Sequence, residues 1–119
     1  MSQYVDGFVL PVRKDMIETY RGIAEKASKI FMEYGALEYR ECVADDMDAH
    51  GMMPFPVMAK AAEGEVIVFA WIVYESREKR DDVNAKIHAD PRMCEMMGDE
   101  IPFDCAKMAY GGFTTIVQA

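Results

Sequence analysis

The segment 64–76, GEVIVFAWIVYES, contains nine consecutive residues, Val66 to Tyr74, without a charge or an amide. Side chains of a strand alternate between the two faces of a sheet, so a strand built from these residues is apolar on both faces. A chain of 119 residues builds two or three layers at most, which leaves one face without cover inside the chain. We therefore expect a second copy of the protein to cover it, as a homodimer. The alternative is a monomer with an exposed apolar sheet.

Length and charge limit the domain count and the classes of partner. The chain is 51% hydrophobic and 29% charged, which is typical of one globular domain, here residues 1–119. Its net charge is −8 and its pI is about 4.7. Phosphate groups are bound by clustered Lys and Arg, so this charge argues against nucleic acid and anionic membranes as partners.

The N-terminal segment and the cysteines indicate a cytoplasmic protein. The first residues, MSQYVDGFVLPV, lack the basic region and the sustained apolar core of a secretory signal. The longest apolar run is too short to span a bilayer. Cys42, Cys94 and Cys105 are odd in number and form no CxxC pair, so we expect reduced thiols.

Hydrophobic periodicity predicts the order strand, helix, strand, strand, helix, strand. The first helix is the clearest element, with apolar residues at three- and four-residue steps and Gly35 as its stop. Ser76 is the expected N-cap of the second helix. The expected bounds are, in chain order, 4–12, 14–34, 36–46, 66–74, 77–89 and 107–117.

Shorter elements are predicted between these. A loop covers 45–56, with a short extended piece at 57–61, and Asp90-Pro91 starts a helical turn that ends near Gly98. The whole order predicts an α+β, ferredoxin-like βαββαβ fold. In that fold four strands form an antiparallel sheet with both helices on one face and the first and third strands central. Two such sheets packed face to face complete the core of a dimer.

Four segments closely resemble the YbaA-like family, small bacterial proteins of unknown function, and the resemblance covers nearly the whole chain. The segments are YVDGFVLPV, GALEYRECVADD, VIVFAWIVYESREKRDDVNAKIHADPRM and IPFDCAKMAYGGFTTIV. The resemblance implies a dimeric α+β barrel.

The wider superfamily implied by this resemblance contains cofactor-free monooxygenases, haem-degrading enzymes and lactone isomerases, and the fold does not select among them. We expect a small organic molecule to bind in a pocket between the sheet and the second helix, in a cofactor-free oxygenase or isomerase if the protein is an enzyme. The alternative is a non-catalytic dimeric module for binding or scaffolding. No cofactor is expected in either case.

Trp71, the only tryptophan, is the first candidate for the pocket. Haem-degrading and monooxygenase relatives place a tryptophan on the corresponding strand, where it lines a pocket between sheet and helices. The alternative is that Trp71 is plain core. Haem degraders take a ligand histidine from the early second helix, where this chain has Arg80 and Asp81 instead, so no haem is expected.

Arg80 and Asn84 share a packing stripe of the second helix with apolar residues. One interpretation is a site for an anion or a carbonyl, with Arg80 as the charge and Asn84 as the donor. The other is a structural ion pair with Glu38, Glu41 or Asp104, because a buried guanidinium without a partner is costly.

Two weaker candidates remain. The segment 45–50, DDMDAH, offers carboxylates and one imidazole but no defined metal geometry, so no metal is expected and a solvated acidic loop is the alternative. His50 would serve as a general base if this loop folded over the pocket. The cysteines would be nucleophiles only beside a base, and otherwise fill space.

Overall fold

The computed structural model describes residues 2–97 and 101–119. Within these residues, four strands form one antiparallel sheet, and helices connect them. The strands are β1 (Tyr4–Arg13), β2 (Glu38–Val43), β3 (Glu65–Tyr74) and β4 (Ala109–Thr114). The helices are α1 (Ile17–Tyr34), α2 (Phe55–Met58), α3 (Arg77–Ala89) and α4 (Pro91–Met97), with 3₁₀ turns at Lys14–Met16 and Cys105–Lys107.

The order of the strands in the sheet is β2-β3-β1-β4, and all neighbours are antiparallel. The prediction that the first and third strands are central is confirmed. β1 pairs with β3 along its whole length, from Tyr4 opposite Tyr74 to Arg13 opposite Glu65. The α+β fold and the order of its main elements are therefore those that the periodicity predicted.

The ends of the two long helices also agree with the sequence. α1 stops at Gly35, whose φ of 118° is left-handed and whose missing Cβ leaves room for the Lys79 side chain. Ser76 caps α3, because its hydroxyl accepts a hydrogen bond from the backbone N–H of Lys79 at 3.1 Å.

One predicted element is wrong. The extended piece expected at 57–61 is absent: residues 57 and 58 end a helical turn, α2, which begins at Phe55, and a turn follows at 59–60. Pro54 is extended and precedes the turn, and Pro56 fits within its first residues, where a missing N–H breaks no helical hydrogen bond. The helical turn expected after Asp90 is confirmed as α4, while its expected end near Gly98 lies outside the described residues.

The sheet has two different faces. Its inner face carries the even-numbered side chains of β1 and β3 and packs against α1 and α3. The buried inner-face core contains Leu10, Val12, Val68, Ile72 and Tyr74, together with Tyr20, Ala24 and Ile30 of α1 and Val83 and Ile87 of α3. Both long helices therefore lie on one face, as predicted.

The outer face carries the odd-numbered side chains of β1, β3 and β4 and is only partly covered. α2 lies over one part of it, with the Phe55 and Phe69 ring centroids 6.1 Å apart. Phe69 remains 43% exposed and Phe113 on β4 is 61% exposed. The outer face of the isolated chain therefore presents large apolar side chains to solvent.

Candidate functional site

The structure does not bring the four candidate side chains, Trp71, Arg80, Asn84 and His50, into one pocket. Trp71 lies on the outer face, where its indole N–H donates to Glu38 at 2.7 Å and Arg40 lies 5.7 Å from its ring centroid. Arg80 lies on the inner face, on α3. Strand alternation places Trp71 on the face of the sheet that points away from α1 and α3. The prediction of one pocket that holds both Trp71 and Arg80 is therefore wrong.

Arg80 is held by Asp6, which is not among its predicted partners. Its guanidinium donates to Asp6 at 2.7 Å, to the Tyr110 hydroxyl at 2.9 Å and to Asp81 at 2.8 Å. Asp6 is 1% exposed. The expected partners Glu38, Glu41 and Asp104 are therefore wrong.

A signal for Asp6 was present in the sequence. It is the only charge between Tyr4 and Val12, and it alternates with Tyr4 and Phe8 on the inner face. A carboxylate at such a position needs a cation from the covering helix. Alternation within β1 therefore predicts that Asp6 is a carboxylate on the inner face, near the helices.

Asp6, Arg80 and Tyr110 form one polar cluster. Burial raises the pKa of Asp6, while the charge of Arg80 and the hydrogen bond from Tyr110 act in the opposite direction. Burial also raises the pKa of Tyr110, and the Asn84 side chain beside it acts in the opposite direction. Arg80 thus has its partners within the chain, which favours a structural role for it.

His50 does not belong to this cluster. Its side chain is 73% exposed, and its ring nitrogen lies 3.8 Å from the Asp48 carboxylate in the acidic loop. It lines neither of the two clefts described below. Within residues 2–97 and 101–119, no group of three or more His, Cys, Asp or Glu is arranged to hold a metal ion.

A second polar cluster lies between the sheet and α1. The hydroxyl of Tyr20 on α1 donates to one carboxylate oxygen of Glu41 at 2.6 Å, and the hydroxyl of Tyr39 donates to the other at 2.7 Å. Tyr39 and Glu41 are two residues apart on β2 and both point to the inner face. We call these three residues the Glu41 cluster.

The Glu41 cluster forms the wall between two clefts. A groove of about 430 Å³ runs along the surface between α1 and β2, and its lining includes Ile17, Arg21 and Glu25. A cavity of about 180 Å³ lies deeper, between α1 and the sheet. Tyr20, Ala24, Tyr39 and Glu41 line both. The deeper cavity is mostly aromatic and aliphatic, with Phe8, Phe31, Ile72, Phe103 and Met108 among its lining residues.

The electrostatics of the cluster define its chemistry. Burial raises the pKa of both Tyr20 and Tyr39 far above the usual range for tyrosine, and the adjacent Glu41 carboxylate raises them further. Both hydroxyls therefore remain protonated at neutral pH and act as donors. Glu41 is the group of this cluster that can accept a hydrogen bond or a proton from a molecule in the cavity.

The Glu41 cluster is not among the sites that the sequence predicted, although β2 carries a signal for it. Leu37, Tyr39 and Val43 mark one apolar face of the strand, and Glu41 interrupts that face. What the sequence did not contain is the register between β2 and α1, which brings Tyr20 to Glu41 across 21 residues.

None of the helices in the described part of the chain combines the length and the apolar character that a membrane span requires.

Comparisons with known proteins agree with the fold. The chain is 46% identical over 116 residues to "Uncharacterized protein YbaA" of Escherichia coli strain K12 and to the protein of the same name from Shigella flexneri, covering 98% of each chain. A dimeric ferredoxin-like protein from an uncultured marine organism superposes with a TM-score of 0.65 at 8% identity, over all of both chains. A NIPSNAP family protein with unknown function from Agrobacterium tumefaciens superposes with a TM-score of 0.60 at 14% identity, over 95% of this chain and 87% of that one.

The family model described as "Protein of unknown function (DUF1428)" matches residues 3–105. This match spans most of the chain and agrees with the near full-length identity to the YbaA proteins. The chain therefore belongs to the DUF1428 family, and its identity to the YbaA proteins confirms the resemblance predicted from its sequence.

Proposed function

We propose that the protein is a cytoplasmic homodimer that binds a small, largely apolar organic molecule in the cavity between its sheet and α1. This differs from the sequence-based expectation, which placed the pocket at the second helix. The position of the Glu41 cluster carries the proposal. A polar group fixed by two hydrogen bonds, at the wall of an apolar cavity, is typical of sites that orient a small ligand.

An enzymatic version of this function would use the same group. Cofactor-free oxygenation and isomerisation both begin with the removal of a proton from the substrate. Glu41 is placed to take that proton, and Tyr20 and Tyr39 hold its carboxylate in one orientation. Binding is the first requirement of either reaction.

The outer face supports the homodimer. Phe69, Trp71, Val73 and Phe113 share this face, and solvent reaches Phe69 and Phe113 in the isolated chain. Apolar side chains grouped in this way are typical of an interface. The structural neighbour with a TM-score of 0.65 is described as dimeric and ferredoxin-like. The inner face, which α1 and α3 cover and which holds the cavity, is not part of the interface in such an assembly.

A non-catalytic scaffolding module is the second candidate. One observation favours it: the Asp6–Arg80 pair is satisfied inside the chain, so the polar groups of α3 need no ligand. In this case the Glu41 cluster would only fix α1 to β2. The two candidates differ in whether the cavity takes up small molecules.

Ligand-observed NMR with a library of small fragments tests the proposal. The parent protein is compared with Ala24→Leu and Ala27→Leu, which add side-chain volume at the cavity wall, and with Ala85→Leu on the exposed side of α3 as a matched control. We expect some fragments to bind the parent and Ala85→Leu but not Ala24→Leu or Ala27→Leu. Only variants that still unfold cooperatively on heating are compared. No bound fragment, or equal binding by all folded variants, would support the scaffolding module instead.

A further inference from the structure

The partners of Glu41 differ from those of other shielded carboxylates in the protein. Each of the other buried or half-buried carboxylates in the described residues has a basic side chain within 4 Å. The pairs are Asp6–Arg80 at 2.7 Å, Asp90–Arg92 at 2.7 Å, Glu38–Arg40 at 3.5 Å and Glu65–Lys107 at 3.5 Å. Among the described residues, no Lys, Arg or His lies within ion-pair distance of Glu41, whose partners are two neutral phenols.

The hydrogen-bonding capacity of Glu41 is also only partly used. A carboxylate has about four acceptor positions. Tyr20 occupies one on the first oxygen and Tyr39 occupies one on the second. Each oxygen therefore keeps one acceptor position, and both clefts meet at this carboxylate.

Aromatic rings surround the same point. The Tyr39 ring lies 5.6 Å from the Phe31 ring, and the Tyr20 ring lies 5.8 Å from the Phe103 ring, centroid to centroid. All four residues line the deeper cavity. The faces of aromatic rings attract cations, most strongly where water is excluded. A negative charge without a basic partner, flanked by aromatic rings, is chemically complementary to an organic cation.

The sizes of the clefts limit the ligand further. An apolar cavity of about 150 Å³ in another protein admits benzene. The cavity here, of about 180 Å³, is therefore sufficient for one ring. In the adjoining groove the basic residue Arg21 is paired with Glu18 at 3.1 Å, and Glu25 adds a second acidic group.

We infer that the ligand is a small organic amine, with one ring in the deeper cavity and a protonated nitrogen held between Glu41 and the rings of Tyr20 and Tyr39. This inference rests on the proposed function, because it names the class of molecule that the same cavity takes. The carboxylate supplies the counter-charge that an ammonium group needs when it leaves water.

Three probes of similar size test the charge preference: 2-phenylethylamine, 2-phenylethanol and 3-phenylpropionate. Their affinities are measured by isothermal titration calorimetry and NMR chemical-shift titration at pH 7. We expect the amine to bind about tenfold more tightly than the alcohol, as for an added charge-assisted contact, and the acid to bind most weakly. Glu41→Gln should reduce the affinity for the amine about tenfold and change that for the alcohol little.

Glu38→Gln is the matched control, because Glu38 lies on the same strand and points to the outer face. It should leave all three affinities unchanged. If the alcohol binds as tightly as the amine, or Glu41→Gln binds the amine normally, the inference is overturned while the cavity function stands. If neither these probes nor the fragments bind in the cavity, the proposed function itself is overturned.

Discussion

Glu38 and Glu41 lie three residues apart on β2 and point to opposite faces of the sheet. Glu38 accepts the indole N–H of Trp71 on the outer face, and Glu41 accepts the hydroxyls of Tyr20 and Tyr39 on the inner face. An odd spacing along a strand always has this result. β2 thus contributes one carboxylate to the proposed dimer face and one to the proposed ligand site.

The Glu41 cluster should contribute measurably to stability. Tyr20→Phe or Tyr39→Phe removes a hydrogen bond to a charged acceptor, which is worth about 2 kcal/mol. We expect each variant to melt several degrees lower than the parent in circular dichroism. Tyr4→Phe is the control, because the Tyr4 hydroxyl makes no side-chain hydrogen bond within the described residues. Equal melting temperatures of Tyr20→Phe, Tyr39→Phe and Tyr4→Phe would contradict a contribution of the cluster to stability.

Arg80→Ala should destabilise the protein strongly. The substitution leaves the Asp6 carboxylate buried without its counter-charge, at a cost of about 3 kcal/mol. Asn84→Ala should cost about 1 kcal/mol or less, since the half-buried Asn84 side chain lies beside Tyr110 and outside the Asp6–Arg80 pair. Urea unfolding monitored by tryptophan fluorescence measures both.

Arg77→Ala, an exposed change on the same helix, is the control for Arg80→Ala. The double variant with Asp6→Ala and Arg80→Ala should recover part of the lost stability, because it removes both charges together. Near-parental stability of Arg80→Ala alone would instead indicate that Arg80 is free to bind a ligand.

Neighbouring residues of β3 should respond differently to a charge. Val73 points to the outer face, so Val73→Glu should produce a folded monomer. Ile72 is 3% exposed on the inner face, so Ile72→Glu should unfold the chain. Light scattering after size-exclusion chromatography measures the mass, and circular dichroism reports the fold. A parental mass that stays near 13.5 kDa at all concentrations would contradict the dimer.

Asp90 should make stability depend on pH in the acid range. The hydrogen bonds from Arg92 and Tyr34 hold the pKa of Asp90 well below its usual range. An unfolded chain binds this proton at about pH 4, whereas the folded chain resists it. The contribution is therefore fully present above about pH 5 and is lost as the pH falls through the folded pKa.

Asp90→Asn should flatten this part of the stability curve, measured by urea unfolding between about pH 2 and pH 6, which includes the pKa of an aspartate in the unfolded chain. The asparagine can still accept the backbone hydrogen bond of Arg92 at the start of α4. Asp45→Asn in the exposed acidic loop is a suitable control. If the free energy of unfolding of Asp90→Asn fell with decreasing pH as steeply as that of the parent, the prediction would be contradicted.

The fold could be predicted largely from the sequence because its signals are local. The periodicity of α1, the cap at Ser76 and the two-faced strand around Phe69 depend only on residues near one another in the chain. The same locality explains the error at 57–61, because the prolines just before this segment are assigned to a predicted loop. Proline is compatible with the first turn of a helix as well.

The candidate site depended on long-range pairing, which the sequence alone did not provide. Asp6 meets Arg80 across 74 residues, and Tyr20 meets Glu41 across 21. The charges themselves were visible, but their partners follow from sheet register and from the packing of helices on one face. For Trp71, the resemblance suggested a pocket on the helix side, whereas alternation within β3 places it on the other side.

The order β2-β3-β1-β4 also determines how the nascent chain can assemble. β1 and β2 are made first, but they are not neighbours, and β3 lies between them. No sheet can therefore form from the first half of the chain, and the ribosome must complete residues 65–74 before the two early strands are joined. Folding that depends on such distant pairing is slow relative to local helix formation, so α1 is expected to form before any strand pairs. The apolar segment around Phe69 and Trp71 thus completes the sheet as well as supplying its outer face.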